Sequence, residues 1–526
     1  MGRNEIMTRH LAQPGLSRRG LLKGASALGA SALLLPFGMR SAMAQPKPGG
    51  IFRLAMGHGS TSDGYDPALW DQDFASFFAT ARHCFLTEIG PGGQLVGEIA
   101  ESWESADAIT WVLKIREGVS FHSGKLLTVD DVIASLNHHR GAESVSAAKP
   151  IVESITDLRA DGWNLVVTLS SGNADFPFIL SDYHLPVMPS VDGKLDVMSP
   201  DGCGPYVVTA YEPGVSASMT KNPNYWKPGR AHFDGIELLS IFDSAARQNA
   251  LLTDAVDMID GVDLATVALL ERAPGVKVLT TNGTQHYLFA MDYRAAPYSD
   301  NNVRLALKYA MDREEIVAKI LNGYGVVGND HPIGQSNRYF NTELPQKAYD
   351  PDKAKYYLGQ AGLTALDVTL SVSNAAFDGA IDAGVLFSEK AAVAGINLTV
   401  ENAPDDGYWD NVWMKKPFCA SYWSGRPTED WMFSTAYASA APWNESFWEN
   451  PRFNELLLTA RSELNDDRRR EMYWEMQTLC SDEGASLTPM FASYVMAHTD
   501  KLAHDEKVGA NWTLDGIRAA ERWWFA

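Results

Sequence analysis

Stretches with strand-like and helix-like patterning alternate from about residue 50 to the end of the chain, and this restricts the fold to a mixed α/β architecture. Ile109–Ile115 and Trp163–Leu169 combine partial period-two alternation with many branched residues, the mark of half-buried strands. Gly235–Ile241, Leu366–Ser373 and Ile396–Val400 read the same way. The helices between them carry explicit end signals. Thr128 followed by Asp131 has capping-box spacing, with Asp in place of Glu. Asp350 precedes Pro351, and that pattern stops before Gly362, the usual Pro-in, Gly-out asymmetry. Asp312 with Glu315 repeats the box ahead of Ile316, Ile320 and Leu321, and Gly323 ends the helix. With no internal repeat and no low-complexity linker, the lobes of such a chain are built from discontinuous segments.

The N-terminus reads as an address rather than as structure. Ser17-Arg18-Arg19 and Lys23 precede an apolar run, Ala25–Phe37, that ends in Ala42-Met43-Ala44. A basic segment, a short apolar segment and an A-x-A site make an export signal, here of twin-arginine type, cleaved near Ala44. The apolar run is too short for a membrane helix, which needs ~20 residues. No cysteine follows it closely, so no lipid anchor is expected, and no later stretch approaches membrane length. The expected location is periplasmic and soluble.

Acidic residues outnumber basic ones 65 to 44, a net charge of −21. Such a surface repels nucleic acid and anionic lipid, so neither is an expected partner. Cys84, Cys203, Cys419 and Cys480 form no CxxC pair and no zinc spacing. Export permits disulfides, but the spacing leaves their connectivity open. HExxH, GxxxxGK[ST] and a GxGxxG after a strand are all missing from the chain after the leader. The run Gly59–Gly64 fails the GxSxG spacing and reads as a small-residue turn. His138 and His139 are adjacent and face different ways on a helix. No catalytic residues, no metal ligands and no cofactor are assigned, which favours a binder over an enzyme.

Seven ordered blocks resemble the family 5 extracytoplasmic solute-binding proteins, the peptide- and nickel-type binding proteins of ABC importers. Leu86–Gly90 and Gly97–Glu104 open the series, and Leu113–Gly124 with Leu127–Val132 is its most specific part. Gly204-Pro205-Tyr206, Lys221–Trp226, Asp254–Met258, Asn302–Arg313 and Tyr349–Lys355 follow in order. The resemblance spans roughly residues 49–525. It implies a two-lobed periplasmic-binding-protein fold of type II, with an extra subdomain on the first lobe. Lobe I is expected over residues 45–287, with the subdomain at roughly 80–200. Lobe II is expected over 288–488, and residues 489–526 return to lobe I. Crossings fall near Gln285–Met291 and Pro489–Tyr494. The implied partners are a peptide or small-molecule ligand, a membrane permease and its ATPase, and the chain is expected to be monomeric. Most of the quoted motifs read as structural: Val132 and Leu136 as core, Asp131 as a cap, the 222–226 block as an aromatic-pinned turn.

By the same resemblance, Tyr422–Asp430 is the ligand segment. Peptide binders of the family read approximately G-W-x-A/G-D there, the Trp stacking on ligand and the Asp pairing with its ammonium. Trp423 and Gly425 match; the Asp position holds Arg426, which reverses the charge. A guanidinium suits a carboxylate, phosphate or sulfate through two parallel hydrogen bonds. Alternatively Arg426 turns outward or pairs with Glu429 or Asp430. Tyr422, Ser424 and Gly425 are further candidates. By position alone, so are Ser62 in the loop after the first strand, Cys203 where the family usually has Thr, and Asn374 after a second-lobe strand. Two other classes stay open: an exported α/β hydrolase, and a metal- or haem-type binder of the same family.

Overall fold

The computed structural model describes residues 46–526; the export leader read at residues 1–44 lies outside them. The architecture is mixed α/β, as expected. Two long antiparallel strands, Val276–Met291 and Ser486–Thr499, form the spine of an eleven-stranded sheet. Beyond Ser486–Thr499 lie Met258–Ile259, Ile51–Met56, Gly235–Ser240, Ser216–Lys221 and Tyr206–Glu212. Beyond Val276–Met291 lie Phe418–Trp423, Leu366–Val372 and Ile396–Asn402. Each spine strand changes core along its length. Leu279 and Met496 pack with Phe52, Leu54 and Ile236, whereas Leu288–Met291 and Met490 pack with Leu370, Phe387 and Phe418.

A four-stranded antiparallel sheet, with Thr110–Ile115 and Asn164–Leu169 at its centre, has its own core of Trp111, Leu113, Val132, Leu136 and Phe176. The helix Val129–His138 closes it, and the Thr128–Asp131 capping box is made in both directions. Asp131 does more than cap: it is fully buried and also accepts from Lys125 Nζ at 2.6 Å and Ser190 N–H at 2.7 Å. Asp350 caps Pro351–Gln360 by accepting from Lys353 N–H. Asp312 caps Arg313–Ile320, but Glu315 does not reach back; it pairs with Lys390 at 2.6 Å. Gly59–Gly64 is a turn, and the 222–226 block is pinned by Tyr225 and Trp226.

Glu88, Glu98 and Glu521 converge from distant segments, with carboxylate oxygens within 4.8 Å of one another. Lys227 Nζ sits among them at 2.7, 2.9 and 3.0 Å. Arg518 and Arg522 complete the cluster. Asp515 also pairs with Arg522 at 2.9 Å, so three cations face four carboxylates, and the lysine ammonium fills the position between the three glutamates that a metal ion would take. The network fastens the subdomain to the C-terminal segment behind the cleft described next.

Candidate ligand-binding cleft

Trp423 ends the strand Phe418–Trp423, in register with His286 on the spine. It is buried, and its Nε1–H donates to Glu445 Oε1 at 2.8 Å. Glu445 also accepts from Trp413 Nε1 at 2.5 Å; burial pushes this carboxyl up despite the two indole donors. The ring of Trp423 is thereby fixed in orientation before any ligand arrives. Two residues later the chain must turn sharply. Gly425 has φ +81°, and a Cβ there would lie 2.2 Å from Thr284 Oγ1, so only glycine fits.

The turn delivers Arg426. Its guanidinium carbon lies 5.6 Å from the Trp423 ring centre and 5.9 Å from that of Trp431. Nη1 donates to the carbonyl of Gly425 at 2.7 Å. Glu429 accepts instead from the Tyr339 N–H, and Asp430 pairs with Arg461 at 3.1 Å. The internal pairing left open by the sequence is therefore not made. The half-buried guanidinium has no ion pair among the described residues; burial lowers its pKa, while Asp182 and Tyr183 raise it from across the gap. An arginine held between two indoles without a carboxylate is a ready anion receptor.

Three cavities with shared walls lie near this turn, two of them lined by the next residue, Pro427. The first, about 50 Å³, is lined by Asp182, Tyr183, Pro427, Trp431 and Trp512. The second, about 20 Å³, lies between Ser336, Arg338 and Thr428. The third is a chamber of about 740 Å³ walled by Trp103, Trp111, Phe178 and Arg338. Phe178 and Asn511 line all three. Buried oxygens of Ser336 (Oγ) and Asn511 (Oδ1) have no protein partner. Only the third cavity has the 300–1,000 Å³ volume typical of small-ligand sites.

The sequence candidates are distributed unevenly over this geometry. Trp423, Ser424, Gly425 and Arg426 are contiguous at the end of one strand, with Trp423 buried, Ser424 exposed and Arg426 half-buried; none of them lines the three cavities, which this segment reaches only at Pro427. Tyr422 points to the opposite face of its strand, exposed, with its ring 5.7 Å from that of Trp409. Ser62 is exposed and bonds Ser60 Oγ at 2.6 Å. Asn374 is exposed and accepts from the Gly379 N–H at 3.3 Å. Cys203 is 1% exposed and belongs to the subdomain core rather than to the cavity walls. Sequence reasoning missed Arg338, Phe178, Asn511 and Trp111. They come from segments far apart in the chain, and no local pattern marks them as neighbours.

Residues 94–445 match the family model described as bacterial extracellular solute-binding proteins, family 5 Middle. The chain belongs to that family. Heme-binding protein A of Haemophilus influenzae is 28% identical over 331 residues, which cover 57% of this chain and 60% of that protein. Di/tripeptide-binding protein 2 of Pseudomonas aeruginosa is 24% identical over 520 residues, covering 87% and 92% of the two chains. The solved structure of HbpA2 from Haemophilus parasuis superposes with a TM-score of 0.81 at 18% identity, over 91% of this chain and 100% of the other. The two-lobed type II periplasmic-binding-protein fold is thus this chain's fold. Its family supplies the solute-binding subunits of ABC importers and consists of binding proteins rather than enzymes.

Proposed function

We propose that this family 5 chain captures a peptide or small organic solute bearing an anionic group and delivers it to a membrane permease driven by an ATPase. Arg426 carries the reading: a half-buried guanidinium with no ion pair among the described residues stands one residue before Pro427, which lines the narrow end of a cleft whose wide end holds about 740 Å³. A carboxylate at Arg426, covered by Trp423 and Trp431, leaves the rest of the solute to run past Asn511 and Phe178 into the aromatic chamber. The di/tripeptide relative agrees with a ligand of this size. A haem reading has less support, because the chamber wall offers no His, Cys or Met, and the Tyr339 hydroxyl is already bonded to Asp466.

The export leader supports a periplasmic site of action, with the mature chain beginning near Gln45. Among the described residues, no helix is long and apolar enough to cross a membrane. The changes of core along the two spine strands support hinges near residues 285–291 and 489–494, with one ligand per monomer held between the lobes. Native mass spectrometry of protein purified from the exported fraction tests the reading directly. A co-purifying solute with a carboxylate is expected; a purely cationic solute would remove Arg426 from the site.

A further inference from the structure

Cys84 and Cys203, 119 positions apart, meet in the subdomain core, away from every cavity above. Their exposures are 0% and 1%. Glycines on both sides of Cys203 bring the two segments together. A Cβ at Gly202 would lie 2.3 Å from the Arg82 carbonyl oxygen, and one at Gly204 would lie 2.4 Å from the Arg82 carbonyl carbon. Gly204 N–H donates to Arg82 O at 2.8 Å, and Val187 N–H donates to Cys84 O at 2.9 Å, so residues 82–84 are clamped from both sides. Inside this clamp the Cys84 thiol donates to Cys203 O at 3.1 Å and the Cys203 thiol donates to Val187 O at 3.7 Å, so the two thiols share one part of the subdomain core. Trp226 Nε1–H donates to Cys84 Sγ at 3.4 Å, which fixes the sulfur from its far side. The other two cysteines, Cys419 and Cys480, are buried in the separate core of the other lobe. Each thiol of the pair therefore has one thiol neighbour.

We propose that Cys84 and Cys203 are a redox modification site that closes into a disulfide, joining the first strand-loop of the subdomain to the Gly204-Pro205-Tyr206 segment. The inference uses nothing about the ligand. The oxidant is a small disulfide of glutathione type. One cysteine thiolate attacks a sulfur of the reagent and expels one thiolate. The second cysteine thiolate then attacks the protein sulfur of the mixed disulfide and expels the other. The protein gives up two thiol hydrogens as protons and two electrons, and the reagent leaves as two thiols. Burial raises the Cys84 thiol well above its ordinary pKa, so exchange is slow in the folded state and proceeds when the subdomain opens.

The test is the full exported chain, incubated long enough for local opening with oxidised glutathione or with dithiothreitol, then unfolded, alkylated and weighed intact. The expected oxidised product has two alkylated cysteines instead of four, and its proteolytic digest contains one peptide pair linking Cys84 to Cys203. Cys203→Thr should abolish that link and leave no substitute. Four alkylated cysteines after prolonged oxidation, or a link involving Cys419 or Cys480, would overturn the proposal.

Discussion

Arg469 and Asp175, 294 positions apart, form a buried two-point ion pair, with Nη1–Oδ1 and Nη2–Oδ2 distances of 2.8 Å. Arg469 stands in the helix Asp466–Glu483, and Asp175 stands at the edge of the subdomain. The pair therefore closes one end of the chamber that both regions line. Removing one partner leaves a buried charge uncompensated. Asp175→Asn should destabilise the fold by about 3–5 kcal/mol, while Asp175→Leu with Arg469→Met should cost much less. Urea unfolding of the three proteins measures both numbers, and equal losses in the single and double variants would show that the pair is not coupled.

A second prediction concerns the turn before Arg426. Gly425→Ala puts a side chain into left-handed backbone, at about 1–2 kcal/mol, and drives it against Thr284. Stability should fall by at least that amount, and ligand affinity should fall with it because Arg426 is re-aimed. Thr284→Gly in the same chain should return part of both. Thermal melts and calorimetric titration separate the two effects, and unchanged affinity in Gly425→Ala would detach the turn from the site.

The pH dependence of stability should carry opposed contributions. Burial pushes the Glu429 carboxyl up to about 7 and Asp430 up to about 6. Both groups hold protons more tightly when folded than when unfolded. Their contribution is full below about pH 4 and is lost as pH rises through 6 and 7. Buried histidines work the other way: burial takes His139 and His331 down to about 3 and His286 and His498 down to about 4. The unfolded chain then gains protons first below pH 6.5, and stability falls as pH drops. Glu429→Gln isolates one contribution. It should sit near wild type at pH 4 and gain on it by about 3 kcal/mol by pH 8. A difference that stays constant with pH would mean that Glu429 does not titrate between the two states in this range.

Export gives a fourth prediction. Replacing Arg18 and Arg19 together by Lys should leave the chain in the cytoplasm, because the twin-arginine route reads the pair itself rather than its charge. Cell fractionation measures it, and unchanged periplasmic yield would reject the assignment.

The legible parts of this protein are local. Thr128–Asp131 and Asp350–Pro351 mark helix starts within four residues, and period-two runs such as Thr110–Ile115 mark strands. Both rest on interactions between near neighbours, and both stand in the structure. The segment Trp423–Arg426 could be singled out in the sequence because its motif is contiguous. What stayed hidden depends on long-range closure. The Glu88–Glu98–Glu521 cluster around Lys227 joins segments up to 433 positions apart from one another, and its members look like ordinary surface charges in sequence. Cys203 read as a crevice residue from its place before Gly204-Pro205-Tyr206, yet the glycines beside it press it against Arg82–Cys84 instead. Chamber residues Trp111, Phe178 and Arg338 likewise acquire a common surface only after the subdomain docks on the second lobe.

Arg426 is the sharpest test of what the cleft holds. Its guanidinium already lies between Trp423 and Trp431, so binding an anion costs little reordering of the side chain. With a carboxylate-bearing ligand in place, Arg426→Ala should weaken binding by about 2–5 kcal/mol, the usual cost of truncating one partner of a buried charge pair. Arg426→Lys should restore only part of this, since a point ammonium lacks the planar fork. Arg426→Asp recreates the charge of the family's peptide binders beside Asp182. Two carboxylates would then face the narrow end of the cleft, so the natural ligand should be lost and an amine admitted. Calorimetric titration of the three variants with the co-purified solute measures each step. Wild-type affinity in Arg426→Ala would place the anion elsewhere, with Arg338, at the mouth of the chamber, the next guanidinium to vary.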